Sequence, residues 1–521
     1  MKPLAAMLLA LAISVSPLSP AWSEEPSDKP ATGTKGDTDK DDKKDEVPEA
    51  KVWVTKHQIQ IGGTKLAYTA TAGTMLMKND KDEPIALFGF TAYTKDGADP
   101  RTRPIMFAYN GGPGSASAWL HMGILGPKRT VLKDLDANTR GPFQSVENQF
   151  SILDRADLVM IDPVGTGYSR AVGKGEGKDF WGVDQDIKSV SDFIVRYLDE
   201  HRRWAAPKFL LGESYGGMRS AGVAYELLTK HNVALNGVVL VSPYLDFAGG
   251  NAGLRLDEPY VNFLPTYAAT AWYHNTLTNR PAELQPFLRE VEAFAQDVYA
   301  PVLFKGTRAT PEERKTVLAG LSRYTGLSED YWNRANLRID EGHFLQELMR
   351  SKGVLAGRVD TRYTGGSLNG LGESMAYDPY DADVAPAIVA TFNDYYRGEL
   401  KVESDRPYVL SGDLWKDWDN RHQQPDFNGG GKVPWANTGV DLAHAMTMNP
   451  KMKVLVLQGY FDLACPYRTV EYAIEHLDVA PALRSNVAIE HFDAGHMMYV
   501  EPASMQKFKR VLGAFVDANG S

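Results

Sequence analysis

Cysteine is all but missing: Cys465 is the only one in 521 residues. No intrachain disulfide can form, so stability has to come from a buried core. Positive charge is not in surplus either. Lys and Arg number 56 against 66 Asp and Glu, a formal net charge of -10, and no basic cluster stands out. Phosphate binding needs such a cluster, so nucleic acid is not an expected partner and small molecules or peptides suit the chain better. Long apolar runs are absent as well. The longest candidate, Leu4 to Val15, falls short of the roughly 20 residues a membrane span requires. No internal repeat is evident.

What the amino terminus has is Lys2, then that apolar run, then Ala21-Trp22-Ser23 with small residues three back from and just before a cut after Ser23. This pattern predicts a cleavable export signal over 1–23, hence a periplasmic or secreted protein with no transmembrane segment after removal. From Glu24 to about Lys51 the residues are almost wholly charged, Pro, Gly, Ser or Thr. Such a stretch cannot bury enough apolar surface to order itself and is expected to be a disordered linker over 24–50.

Val52 to Tyr93 alternates β-rich runs around a turn at Gly62-Gly63, which predicts antiparallel strands. Short apolar runs then follow at Ile105 to Tyr109, Leu158 to Ile161, Phe209 to Leu211, Val238 to Val241 and Val454 to Leu457, the pattern of buried parallel strands. Helical periodicity lies between several of them, at Asp184 to Leu198, Tyr215 to Leu228 and Val440 to Met448, so the fold class is α/β. The alternation breaks after Ser242-Pro243. From there to Gly430 the sequence is helix-like and rich in Trp and Tyr, with Pro281 to Tyr299, Pro311 to Tyr324 and Ala385 to Tyr396 as the clearest helices. The expected organisation is therefore a core at 51–243 and 431–521, interrupted by a large, mainly helical insertion at 244–430 that caps the sheet.

The strongest local signal is Phe209-Leu210-Leu211-Gly212-Glu213-Ser214-Tyr215-Gly216-Gly217, an apolar strand running through G-x-S-x-G into a helix. A serine at that turn is held in a strained conformation with its hydroxyl exposed at a helix N-terminus, and the glycines remove side chains that would collide there. This is the nucleophile turn of an α/β-hydrolase fold, with a mostly parallel central sheet and antiparallel lead-in strands. Gly372-Glu373-Ser374-Met375-Ala376 starts with the same triplet but lacks both the preceding strand and the second glycine, so Ser374 is the weaker candidate. Upstream, Asn110-Gly111-Gly112-Pro113-Gly114-Ser115 follows an apolar strand, where such a hydrolase needs a second backbone donor for an oxyanion. Gly112 and Tyr215 are the expected donors.

Asn110 to Gly114, Asp162-Pro163-Val164-Gly165-Thr166-Gly167-Tyr168-Ser169, Gly212 to Gly216 and a later Gly495-His496-Met497 occur in an order that resembles the serine carboxypeptidase family, here in an exported bacterial form. The resemblance covers most of the chain from Lys51 onward. A serine of this kind needs a histidine base, and the base needs an acid, which in this fold both follow the serine in the chain. Asp462, after Val454 to Leu457, and His496, after Val487 to His491, match the family's positions. Asp493 and His491 are rivals nearby; a metal reading of His491, Asp493 and His496 finds no further ligand cluster.

The resemblance implies hydrolysis of the last peptide bond through an acyl-enzyme on Ser214, with no cofactor and no metal. It also implies that Asn110, Gly111 and Glu213 recognise the terminal carboxylate, Glu213 as a neutral donor. Cys465 and Met497 fall where the family lines its substrate pocket, although a lone cysteine is equally well a small buried side chain. Two positions depart from the family. Ala108 replaces a tryptophan that contacts the carboxylate, and Ile124 replaces a glutamate that pairs with the one before the serine. The triad would also serve a serine esterase or acyltransferase of the same fold.

Overall fold

Four runs, Ile105–Tyr109, Asp157–Asp162, Lys208–Glu213 and Gly237–Val241, are buried at every residue. Strands like these need both faces covered, as in a parallel sheet between two layers of helices. The computed structural model, which describes residues 47–133, 135, 140–252, 256–425 and 431–520, has that arrangement. The expected export signal, and the expected linker apart from its last four residues, lie outside the described residues.

The main sheet contains β1 (Val52–Ile61), β2 (Thr64–Lys78), β3 (Pro84–Lys95), β4 (Ile105–Tyr109), β5 (Asp157–Asp162), β6 (Lys208–Glu213), β7 (Gly237–Val241), β8 (Lys453–Gly459) and β9 (Val487–Phe492). Their order across it is β1-β2-β3-β5-β4-β6-β7-β8-β9, with a two-residue strand, Arg170–Ala171, beside β3. The first three run antiparallel and β3 meets β5 antiparallel; from β5 to β9 every pairing is parallel. Successive side chains in a strand point to opposite faces. Met106, Ala108, Phe209, Leu211, Leu455 and Leu457 accordingly join one core, and Ile105, Phe107, Leu210, Val454 and Val456 the other.

The helices that complete the layers are α1 (Val183–Glu200), α2 (Tyr215–His231), α3 (Glu258–Tyr273), α4 (Leu284–Phe294), α5 (Pro311–Thr325), α6 (Pro379–Gly398), α7 (Gly439–Met448), α8 (Tyr467–Glu475) and α9 (Pro502–Asn519). Helices α1, α2 and α7 pack on one face of the sheet, α6 and α9 on the other. Among the described residues no helix is long and apolar enough to cross a membrane.

Between β7 and α7 the chain is less uniform than its composition suggests. Helices α3, α4 and α5 build a core of their own around Phe263, Tyr267, Phe287 and Trp332. Helix α6 instead returns to the sheet: Tyr396 Oη lies 2.6 Å from Thr91 Oγ1 on β3. A small hairpin, Val354–Ala356 with Thr364–Gly366, breaks the helical run. Its strands are three residues each, too short to show a period of two in the sequence. After α6 the chain is irregular and runs along core loops through single bridges, Val409 with Gly167, Ser411 with Ser115 and Asp419 with Gly182.

Candidate active site

Strand β6 ends at Glu213 and α2 begins at Tyr215, which leaves Ser214 alone to make the turn, at φ 61 and ψ -128. Only glycine adopts such backbone angles without strain, so a serine there costs about 1–3 kcal/mol. The surroundings hold it in place. Ser214 N–H donates to Val241 O at 3.0 Å, and Ser214 C=O accepts from Gly217 N at 2.8 Å and Tyr244 N at 2.9 Å. As the first residue of α2, Tyr215 has a backbone N–H with no acceptor inside the helix, at the end where the helix dipole favours negative charge.

The glycine loop after β4 lies directly against this turn. A Cβ on Gly111 would stand 2.5 Å from Tyr215 N and 2.7 Å from both Glu213 O and Gly216 N. All three are backbone atoms, so no side-chain movement can make room. Gly111→Ala is therefore expected to lose about 1–3 kcal/mol of stability, the usual range for overpacking, and most hydrolytic activity; urea unfolding and an ester assay check the two effects.

Beyond the ends of β8 and β9, Asp462 Oδ2 lies 2.7 Å from His496 Nδ1. Asp462 is fully buried and His496 5 % exposed. The other carboxylate oxygen, Oδ1, accepts from the backbone N–H of Ala464 and of Cys465 at 2.8 Å each. Burial is the largest single influence on the His496 pKa and pushes it down, but the Asp462 charge, Cys465 and the hydrogen bonds to both together carry it well upward. Burial pushes the Cys465 thiol upward in turn, which keeps it neutral beside His496. Asp462, Cys465 and His496 bring potential ligand atoms within 4.8 Å of one another; Asp462 Oδ1 already accepts two N–H groups and Oδ2 faces His496 Nδ1. With Nδ1 engaged, Nε2 is the His496 nitrogen that a reacting hydroxyl would meet, the arrangement that lets an imidazole take a serine's proton.

Segment Arg358–Arg362, in the stretch expected as insertion, joins the two loops. Arg358 O accepts from Leu463 N at 3.0 Å, Val359 O from His496 N at 2.8 Å, and Phe461 O from Thr361 N at 2.9 Å. Asp360 Oδ2 accepts from Gly495 N at 3.1 Å and from Arg362 Nη2 at 2.7 Å. Phe461 and Leu463, on either side of Asp462, are buried in the core that α3, α4 and α5 form. Nothing in the sequence pattern marks this segment, because its contacts are made mostly by backbone atoms.

Glu213 is 1 % exposed. Its Oε1 accepts from Asn110 Nδ2 at 2.7 Å and its Oε2 from Tyr499 Oη at 2.5 Å. Burial raises its pKa to about 7, against the opposing pull of His496 and of the Tyr499 and Asn110 hydrogen bonds. Ile124 is fully buried in the apolar core, so it offers Glu213 no polar partner. Tyr499, three residues past His496, was not legible as that partner in the sequence. Ala108 is also fully buried, within β4, while Trp119 lines the cleft from the short helix that follows the glycine loop.

Asn110, Gly111, Gly112, Glu213, Ser214, Tyr215, Cys465, His496 and Met497 all line one open cleft of about 640 Å³, with Asp462 behind His496. Tyr244, Phe247, Arg358 and Asp381 add walls that the sequence did not single out. The rival residues lie elsewhere. Ser374 is exposed in a bend, Asp493 is exposed, and His491 pairs with Glu471 at 2.8 Å while stacking on Tyr460.

Residues 66–279 match the family model described as serine carboxypeptidase. Among curated proteins, the chain is 22% identical over 253 residues to serine carboxypeptidase-like 36 of Arabidopsis thaliana, 46% of this chain and 50% of that one. It is 25% identical over 166 residues to serine carboxypeptidase-like 16 of the same plant, covering 30% and 37%. It is 28% identical over 165 residues to a carboxypeptidase Y homolog A of Phaeosphaeria nodorum, covering 31% and 28%. The chain thus spans half or less of the length of these relatives. A solved prohormone-processing carboxypeptidase from Saccharomyces cerevisiae overlaps 86% of this chain and 91% of its own at 15% identity, with a TM-score of 0.49. The fold and cleft define an α/β-hydrolase. Within that class the chain is similar to the serine carboxypeptidase family over residues 66–279.

Proposed function

We propose that the protein is an exported serine-type carboxypeptidase. Its 51–243 and 431–521 segments form the hydrolase core, and 244–430 the insertion. Ser214 is the nucleophile, His496 its base and Asp462 the group that orients and charges the base. The N–H groups of Gly112 and Tyr215 receive the oxyanion. The acyl-enzyme on Ser214 is then hydrolysed by water, activated by the same histidine. Asn110, Gly111 and Glu213 receive the carboxylate of the last residue, and Cys465 and Met497 border the side-chain pockets. The export reading rests on the Lys2 to Ser23 pattern alone.

The observation that carries exopeptidase character is Glu213, a buried carboxyl beside the nucleophile and hydrogen-bonded to Asn110. A neutral carboxyl donates to a substrate carboxylate, and an ionised one repels it. With its pKa raised to about 7 by burial, Glu213 is the donor below that pH and the repelling group above it. KM for free-acid peptides is expected to rise as pH increases through that value, while KM for esters without a free carboxylate does not. In Glu213→Gln, which keeps a donor that does not titrate, the rise should vanish. In Glu213→Ala, kcat/KM on free-acid peptides should fall by about 1.5–3 kcal/mol, the range for a hydrogen bond to a charged group. Equal losses on blocked and free-acid substrates would move the assignment to a general serine esterase.

A further inference from the structure

Glu213 has two protein partners, and the second comes from an unexpected place. Tyr499 is fully buried and its hydroxyl meets Glu213 Oε2 at 2.5 Å. The ring is held edge-on against Phe508, with centroids 6.2 Å apart. Gly123 leaves the space the ring needs, since a Cβ there would stand 2.3 Å from Tyr499 Cε2. Gly123 directly precedes Ile124, the position at which the chain lacks a second carboxyl. A phenol on the His496 loop therefore stands against Glu213, packed on the segment where a carboxyl partner is missing.

The two kinds of partner differ chemically. A second carboxyl beside Glu213 would share a proton with it, and their mutual repulsion would favour the protonated form. A phenol brings no charge at neutral pH and donates its single proton to Glu213 Oε2, which favours the ionised form. Asn110 Nδ2 occupies one site on Oε1 and Tyr499 one site on Oε2, so the carboxyl plane is clamped from both ends. A proton on Glu213 takes one of the lone-pair sites left open.

We infer that Tyr499 is a positioning residue for terminal-carboxylate recognition: it clamps the Glu213 carboxyl and sets the pH at which Glu213 passes from hydrogen-bond donor to repelling carboxylate. This rests on the carboxylate-binding reading of Glu213 and extends it to a residue outside the family's motif. The other groups acting on Glu213 are His496 and Asn110, which favour its ionised form, and the Asp462 charge, which opposes it. Tyr380 is a buried neighbour whose own pKa lies well above the ordinary range, chiefly through burial, so it stays neutral. None of these is removed by changing Tyr499 to phenylalanine, which also keeps the ring packed on Gly123 and Phe508.

Tyr499→Phe withdraws a donor from the ionised form and leaves burial unopposed at that point, so Glu213 keeps its proton to higher pH. The pH at which KM for free-acid peptides begins to rise should move upward by about one pH unit, the size of one hydrogen bond to a charged group. Above that pH the variant should bind free-acid peptides several-fold more tightly than the wild type, and esters without a free carboxylate should show no such movement. The Glu213 side-chain carboxyl can also be followed by carbon-13 NMR in the full-length protein, identified by its loss in Glu213→Gln. Its midpoint should rise in Tyr499→Phe. An unmoved NMR midpoint, or an equal loss on free-acid and blocked substrates, would overturn the inference and leave Tyr499 a packing residue. A wild-type KM that is flat with pH for both substrate types would instead refute carboxylate recognition by Glu213, and with it the inference, whichever way the NMR midpoint moves.

Discussion

Ser214→Ala is expected to abolish hydrolysis and labelling by a fluorophosphonate while the protein stays folded. Loss of a serine nucleophile with its base intact lowers kcat on the order of 10⁶-fold in the best-studied serine hydrolases, and the hydroxyl makes no hydrogen bond on which the fold depends. Alanine gains nothing at φ 61, since it has the same Cβ as serine. Glycine does: Ser214→Gly removes the strain of that turn, about 1–3 kcal/mol, against roughly 0.5–1 kcal/mol of added chain entropy in the unfolded state. An inactive Ser214→Gly protein with a higher Tm than wild type would show the cost of holding a side chain at this turn. Retained activity in Ser214→Ala, or unchanged labelling, would remove Ser214 from the mechanism. Ser374→Ala should change neither, as Ser374 is exposed in a bend away from the cleft.

Asp462→Asn should be the next most damaging change, for a reason the local hydrogen bonds specify. Asp462 Oδ1 accepts two backbone N–H groups, from Ala464 and Cys465. An asparagine must place its carbonyl oxygen there, because an amide NH₂ cannot accept, and so its NH₂ faces His496 Nδ1. That nitrogen is forced to act as acceptor, the ring proton moves to Nε2, and the histidine can no longer take the serine's proton. The expected loss in kcat is on the order of 10³–10⁴-fold, as for the wrong tautomer in other serine hydrolases, with little change in KM for an ester. The sign of the pH effect is also fixed. In the wild type the Asp462 charge helps to hold the His496 pKa well above its ordinary value against burial; with the neutral imidazole as the base, ester kcat/KM should rise with pH. Without that charge burial weighs more heavily, and the rise should begin at lower pH. A loss under tenfold, or an unmoved pH profile, would mean that another carboxyl supports His496.

The elements nearest the chemistry were the most legible in the sequence. Ile105 to Tyr109, Phe209 to Leu211 and Val238 to Val241 read as buried strands because they are continuous apolar runs bounded by turns, and each lies within an observed strand. The turn at Ser214 was visible because its geometry demands small neighbours. Asn110, Glu213, Asp462 and His496 came from motif order, and the structure brings them together around one cleft. What the sequence hid are contacts that carry no residue-type signature. Segment Arg358–Arg362 acts largely through its carbonyls and N–H groups, which every residue has. Tyr499 reads as one more core aromatic until its hydroxyl is seen on Glu213. The split within 244–430, where α6 joins the sheet while α3, α4 and α5 make their own core, was hidden because buried aromatic helices look alike whichever core they join.

The central claim is that the protein removes residues from a free carboxyl end. The most direct measurement is mass spectrometry of one peptide in two forms, with a free carboxyl terminus and with a terminal amide, incubated with wild-type protein at pH 5.5 and 8.5. The free-acid form should shorten from its C-terminus one residue at a time, faster at pH 5.5 relative to the amide than at pH 8.5, and neither form should change with Ser214→Ala. Internal cleavage, or equal processing of the acid and the amide at both pH values, would contradict the claim.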